Sequence, residues 1–350
     1  MIRRTDVLFV IALILFVTGV SASGQSGDPG RKPPVLRSTA TTLENQEQSQ
    51  TPVSSQAGAA TLVTVPAIVM DRDGRYIGNL RKEDFSIYEN GVEQKLSYFL
   101  SIEKPFTVAL MLDTSGSTGY QLGQIREAAN TFVSRLRLND RMMPVTFDGK
   151  INLLSEVADV RTIRQSKLHI PAATDGTVLY DAVAFTLKKM AQVPGRKAIV
   201  LMTDGVDQNS VATLQSTVAE IAEQDVLIYT VEYNTLPQLP QRLSTIKNEK
   251  ARRKVEQRLL KEYAVSEPYL RTLAEKTGGR FYKADDLGQL GPAFEAITAE
   301  LGVQYSLGYY PKENSSPGAE RSIKVRVRYP NLVVHARDSY TATPTIARKD

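Results

Sequence analysis

The chain has 350 residues, a formal charge of +5 from 43 Lys and Arg against 38 Asp and Glu, no cysteine and two histidines. Its length exceeds one ordinary compact domain, and the missing cysteines exclude disulfides, thiolate metal sites and a cysteine nucleophile together. With only His169 and His335, both read as packing or solvent-facing, a histidine-rich zinc site is excluded; the small positive excess is far below that of a dedicated nucleic-acid binder, so no nucleic-acid partner is expected.

Arg3 and Arg4 precede an apolar run from Val7 to Val17, and Val20-Ser21-Ala22 carries the short side chains that a signal peptidase reads. Residues 1–22 are therefore predicted to be a signal peptide, and the protein to be exported: periplasmic, at the cell surface or secreted. The run is short for a spanning helix, and a retained N-terminal anchor is the alternative. Without these residues two basic groups and one acidic group leave, and the charge becomes +4. Residues 23–60, dominated by Ser, Thr, Gln, Gly and Pro, bury too little apolar surface to offset chain entropy and are predicted to be a disordered linker.

Folding is predicted to begin at Leu62. An apolar run through Val69 meets the turn signal Asp71-Arg72-Asp73-Gly74, which predicts a hairpin; a calcium loop lacks its later oxygen ligands and terminal Glu. Phe85 to Tyr88 alternates before Asn90-Gly91, a dipeptide suited to two positive-φ positions, and Leu96, Tyr98 and Leu100 resume the alternation.

After Pro105 the pattern becomes strand and helix in turn. Phe106 to Leu112 is a continuous apolar run, as in a strand buried on both faces. A helix is predicted over Tyr120 to Leu138, a strand over Met142 to Phe147, a turn at Asp148-Gly149 and a short partner over Ile151 to Leu154. Then come a helix Val178 to Met190, a strand Lys197 to Met202, a helix Val211 to Glu223 and a strand Val226 to Val231. Pro268 to Lys276 reads as a helix closed by Gly278-Gly279, Arg280 to Lys283 as a strand and Leu290 to Leu301 as a helix. This predicts an α/β fold with a doubly wound, mostly parallel sheet.

Within it, residues 234–267 are an insertion. Lys247 to Glu262 holds seven basic and three acidic residues, and Val255, Leu259 and Tyr263 give it one apolar side. Its two readings are a solvated helical excursion and a docking surface for an acidic partner or an anionic membrane of the cell envelope. Beyond Gly302 only strands are predicted: Gln304 to Tyr309, Ser322 to Arg328 and Leu332 to Ala336. The domain plan is a small β-domain from 61–104 and 303–343, enclosing the α/β domain of 105–302, with 344–350 as a tail.

Asp113-Thr114-Ser115-Gly116-Ser117 follows the first buried strand, at the edge where open α/β sheets bind ligands. Alone, such a pattern is an ordinary cap or turn. It is joined by Asp204, ending another buried strand in Leu201-Met202-Thr203-Asp204-Gly205, and by Thr177 on the loop Asp175-Gly176-Thr177 that opens a helix. In order and spacing these three segments resemble the metal ion-dependent adhesion site of the von Willebrand factor type A (VWFA, or VWA) family over about Pro105 to Leu301. The flanking strands, with Asp84-Phe85 and Glu89-Asn90-Gly91, further resemble exported bacterial VWFA-related proteins of Acidobacteria.

The resemblance implies a Rossmann-like fold and a metal site in which Asp113, Ser115, Ser117, Thr177 and Asp204 hold one divalent cation directly or through water. The cation expected is Mg²⁺, with Ca²⁺ or Mn²⁺ as alternatives. It also implies a non-enzymatic adhesion-type module whose protein ligand presents an Asp or Glu to the cation. Thr118 stands where relatives often have methionine. Asp181 and Asp207 are read as structural, the first favouring a helix start and the second capping a turn. A structural envelope protein with a stabilising or vestigial metal site is one alternative. A metal-dependent hydrolase or phosphotransferase is another, against which stand Ser115 in place of a second carboxylate and the lack of a nucleophile elbow or phosphate loop. Oligomeric state is not legible.

Overall fold

A computed structural model of the chain describes residues 61–342 apart from 103, 118–121, 167, 172–173, 285–286 and 313–317. The predicted signal peptide 1–22, linker 23–60 and tail 344–350 lie outside the described residues, as do Thr118 and Tyr120. Among the described residues, no helix is long and apolar enough to cross a membrane.

The first strands are β1 (Val63–Asp71), β2 (Phe85–Glu89), β3 (Val92–Gln94) and β4 (Leu96–Leu100). At the end of β1, Asp71 Oδ1 accepts from the backbone N–H groups of Asp73 and Arg75 at 2.9 and 2.8 Å, so this segment is a side-chain-stabilised turn. The predicted hairpin amounts to one bridge, Met70 with Tyr76. Asn90 and Gly91 turn β2 into β3 with φ of 49° and 81°, as that dipeptide predicts.

The alternating region comprises β5 (Phe106–Asp113), α1 (Leu122–Arg135), β6 (Arg141–Phe147), β7 (Ile151–Leu153), β8 (Ala158–Asp159), α2 (Val160–Ser166) and α3 (Leu179–Ala191). It continues with β9 (Arg196–Thr203), α4 (Leu214–Ile221), β10 (Leu227–Tyr233), α5 (Leu239–Ser244), α6 (Glu249–Thr277), β11 (Phe281–Ala284) and α7 (Leu290–Leu301). Its sheet has the order β11-β10-β9-β5-β6-β7, with β8 also on β6. The first five strands of that order are parallel, and β7 and β8 run antiparallel to β6. Every residue of β5 is buried: Val108, Leu110 and Leu112 pack with α1, α2 and α7, while Ala109 and Met111 pack with α3, α4 and α6. A strand covered on both faces has no polar side to show, which is why its sequence is an unbroken apolar run.

The remaining strands are β12 (Tyr305–Tyr309), β13 (Glu320–Val327), β14 (Leu332–Ala336) and β15 (Ser339–Thr341). They pair with the amino-terminal strands in two antiparallel sheets, β14-β1-β12-β4 and β15-β13-β2-β3, so segments from both sides of the α/β region build one β layer system. Val65, Ile87, Leu307 and Ile323 share its core. β1 faces two ways: Val63, Val65, Ala67 and Val69 enter this core, and Ile68 and Met70 enter the helix-covered one. Between the sheets, buried Glu89 pairs with Arg321 and accepts from Tyr309 and Tyr340 hydroxyls at 2.6 and 2.8 Å.

The sequence separates a basic helix at 247–262 from a helix starting at Pro268, but α6 runs through both with Pro268 inside it. Proline removes one helical hydrogen bond, and burial of Tyr269, Leu270 and Leu273 in the next turns outweighs that loss. Likewise α4 starts at Leu214 behind its cap Thr213, which leaves Val211 in the preceding loop. The short elements β8, α2 and β15, of 2, 7 and 3 residues, have no predicted counterpart because such lengths display no period.

The chain enters and leaves the α/β region at one clasp. Buried Arg196 donates to the carbonyls of Ile102, Lys104 and Leu301, and Arg137 donates to those of Ile102 and Gly302. Nη1 serves Ile102 and Lys104 while Nη2 serves Leu301, a fork that a lysine's single nitrogen does not reproduce, so Arg196→Lys is expected to lower unfolding stability by about 2 kcal/mol. Urea denaturation measures this, and a midpoint equal to that of the parent protein refutes it.

Candidate metal centre

The strand order reverses between β5 and β9, and both carry a carboxylate at their carboxyl ends. Such a switch point opens a crevice where neighbouring loops diverge. Asp113 closes β5 and is fully buried. Its Oδ1 accepts from the Ser115 N–H at 2.9 Å, and its Oδ2 accepts from the Thr203 hydroxyl at 2.6 Å. Thr203 Oγ1 in turn accepts from Gly205 N–H at 2.9 Å, so one threonine ties the two strand ends together. Ser115 and Ser117 hydroxyls lie 3.0 Å apart, and the Ser117 hydroxyl is near enough to Asp204 to favour its charged form. These contacts join Asp113, Ser115, Ser117 and Asp204 in one buried cluster.

Thr177, also buried, comes to the same corner through its backbone. Ser115 bridges Thr174, Val178 N–H donates to Asp148 O at 2.8 Å, and Thr177 O accepts from Gln208 and Asn209 N–H at 3.0 and 3.1 Å. The 174–178 loop is thus held between the loops that follow β5, β6 and β9. Gly205 has a φ of 75°, and a Cβ there would lie 2.5 Å from Ser266 Cβ, so only glycine lets α6 close on this edge.

The electrostatics are those of two like charges taken out of water. Burial pushes the Asp113 carboxyl up to about 7, with the nearby Asp204 charge adding to the effect. Asp204 is raised by burial too, against the opposing pull of hydrogen bonds from Thr235 and Ser117. On the same edge Asp148, buried after β6, has an Oδ2 with no hydrogen-bond partner among the described residues. Among those residues no three His, Cys, Asp or Glu side chains gather tightly enough to hold a metal, so a cation here must draw on hydroxyls as well. Two repelling carboxylates with neutral oxygens and no thiol or imidazole fit a hard divalent cation.

The von Willebrand factor type A domain model matches residues 107–296. The chain belongs to this family. Among solved structures, this VWA protein is similar to a von Willebrand factor type A protein from Catenulispora acidiphila, at 12% identity over 74% of each chain and a TM-score of 0.45. It is also similar to the vWF domain of the type V pili tip protein Mfa5 from Porphyromonas gingivalis, at 13% identity over 61% of this chain and 98% of that one, TM-score 0.40. A third is proximal thread matrix protein 1 from the mussel byssus, with zinc-occupied MIDAS motif, at 13% identity over 60% of this chain and 48% of that one, TM-score 0.43. No curated protein sequence matches it.

Several residues around the VWA site escape the sequence pattern. Thr235, at the start of the insertion, donates to Asp204 Oδ2 at 2.6 Å and lies 2.5 Å from the Tyr263 hydroxyl, to which Arg242 donates at 3.3 Å. Because the Thr235 proton is on Asp204, Tyr263 is the donor in that pair. Asp181 and Asp207 are structural as expected, with roles partly exchanged. Asp207 accepts from Tyr180 N–H at the start of α3 and from Ser210, while Asp181 accepts from Val211 and Ala212 N–H at 3.0 and 2.7 Å. Both histidines are exposed.

A pH dependence follows. A carboxyl whose folded value lies above its unfolded value favours the fold while protonated, so its contribution is present at about pH 4 and is lost as pH rises through about 7. In chelator, the thermal midpoint is expected to fall between about pH 5 and pH 8 in the parent and to fall less in Asp113→Asn. A steeper fall in the variant overturns this assignment.

Proposed function

We propose that this VWA protein is an exported, metal-dependent protein-binding module. Asp113, Ser115, Ser117, Thr177 and Asp204 hold one divalent cation, Mg²⁺ in the first place with Ca²⁺ or Mn²⁺ as alternatives, and a partner protein's Asp or Glu completes the shell. The observation that carries this reading is the pair of buried, mutually repelling carboxylates at the sheet's switch point, lined by hydroxyls and with no ion pair to either among the described residues; Arg242 reaches Asp204 only through Tyr263 and Thr235. Such a cation supplies Lewis acidity and an exchangeable coordination position.

The residues supply the rest. Hydroxyl ligands bring no charge, so two carboxylates neutralise a divalent ion without negative surplus, and an incoming carboxylate meets no net repulsion on its way to the exchangeable position. Thr203 and Ser115 N–H fix the Asp113 carboxylate plane, and Thr235 and Val206 N–H fix that of Asp204. Each oxygen so engaged keeps a second lone pair for a cation or its water. Loops pinned on both sides of Thr177 leave little ordering for ligand binding to impose, which favours affinity. Capture needs no bond to break, and we assign no reaction to the site. Export rests on residues 1–22.

Asp113→Ala and Thr177→Ala are expected to remain folded, to lose the Mg²⁺-dependent rise in thermal midpoint and to lose partner capture. The parent gains about 2.7 kcal/mol at a Mg²⁺ concentration near a hundredfold above Kd. Calorimetry follows the first effect, and affinity capture from cell-envelope extract in Mg²⁺ and then EDTA follows the second. Undiminished capture in excess EDTA would falsify the proposal; stabilisation without capture would assign the cation a purely structural role.

A further inference from the structure

We infer that the amino-terminal part of α6 is a rigid basic spur beside the metal-binding edge, and that it receives an acidic surface of the same partner protein: a cluster of Asp and Glu near the carboxylate captured at the cation. This rests on the proposed reading of the site and adds the partner's chemistry.

The direction of the helix comes from two close approaches. Gly279, just past α6, lies against Ile228 at the start of β10, and Ser266 lies against Gly205 at the carboxyl edge, next to Asp204. Residues 249–262 therefore continue past that edge, over about 20 Å at ~1.5 Å per residue. The spur is anchored: Val255, Leu259 and Tyr263 pack with Leu239 and Leu243 of α5 and with Val206 of the metal-site loop. Asn248 caps it by accepting from Ala251 N–H at 2.9 Å.

Its other sides are cationic. Arg252, Arg253, Lys254, Arg258 and Lys261 are all exposed, and Arg253 pairs with Glu249. No ion pair engages the other four among the described residues. Exposed cations in a fixed array attract an acidic partner over about a Debye length and set its register. An anionic membrane is the poorer occupant. A helix that lies in a membrane offers its apolar face, whereas here that face is covered by α5, and Leu260 alone is an exposed large apolar side chain on 249–262.

The probe is a labelled polyglutamate peptide, followed by anisotropy with the full chain in Mg²⁺ at low salt. Arg252→Ala, Arg253→Ala and Lys254→Ala together are expected to weaken binding about tenfold while leaving the Mg²⁺-dependent rise in thermal midpoint unchanged. That unchanged rise also shows that the variant folds. An affinity equal to the parent's overturns the spur, as does sedimentation of the parent with phosphatidylglycerol vesicles without peptide binding. Peptide binding that needs the three cations but ignores EDTA supports the spur and removes the metal reading instead.

Discussion

Asp113 and Asp204 are placed where neither can be solvated and each repels the other, and much of the surrounding architecture exists to hold them there. Two carboxylates at adjacent strand ends are brought close by the sheet's own spacing of about 4.8 Å. Nothing in that spacing lowers their repulsion. Thr203, Ser115, Ser117 and Thr235 do so partly, by directing dipoles at the carboxylate oxygens. These are neutral groups; the Arg242 guanidinium, held behind Tyr263 and Thr235, also favours the Asp204 charge, but burial outweighs all of them and both carboxyls stay raised. Uptake of positive charge would relieve such a pair, and the proposed function draws on that.

The rest of the fold secures the edge on which this happens. A doubly wound sheet leaves its switch point open because the helices on either side diverge there. The opposite edge is closed by Arg196 and Arg137, which gather the carbonyls where the chain enters and leaves the α/β region. Burial lowers Arg196 to about 10, still far above any physiological pH, so the clasp keeps its charge. The strands that pass through it then pair with each other from both ends of the sequence, and β1 joins the two cores by facing one with odd positions and the other with even ones. The carboxylate pair and the attachment of the β sheets thereby lie at opposite ends of one sheet.

What could be read from the sequence follows from the range of each interaction. Strands covered on both faces print continuous apolar runs, so β5, β9 and β10 were legible, and the carboxylates that end β5 and β9 were legible with them. The turn at Asn90-Gly91 was legible because two positive φ angles demand those residues. Thr235 and Tyr263 were not, since Thr235 meets Asp204 from 31 residues away and Tyr263 meets Thr235 from 28, which leaves no local pattern. Asp148 read only as a turn residue, because burial of a side chain beyond a strand end depends on the neighbouring loops. The partly exchanged roles of Asp181 and Asp207 have the same origin: composition shows that two carboxylates are near a helix start, and only side-chain direction decides which backbone N–H each accepts.

The continuity of α6 through Pro268 connects these levels. Had the helix broken there, the basic segment would be an appendage whose orientation was independent of the sheet. Because the helix is unbroken, Ser266 sits on Gly205, Tyr263 supports Thr235, and Thr235 supports Asp204. A displacement of the spur must therefore change either the Thr235 hydrogen bond or the packing of Val206, which adjoins Asp204 in the chain. On the proposed reading, a partner that bears on the spur and on the cation would touch two ends of this one chain of contacts, and the two contacts would reinforce each other.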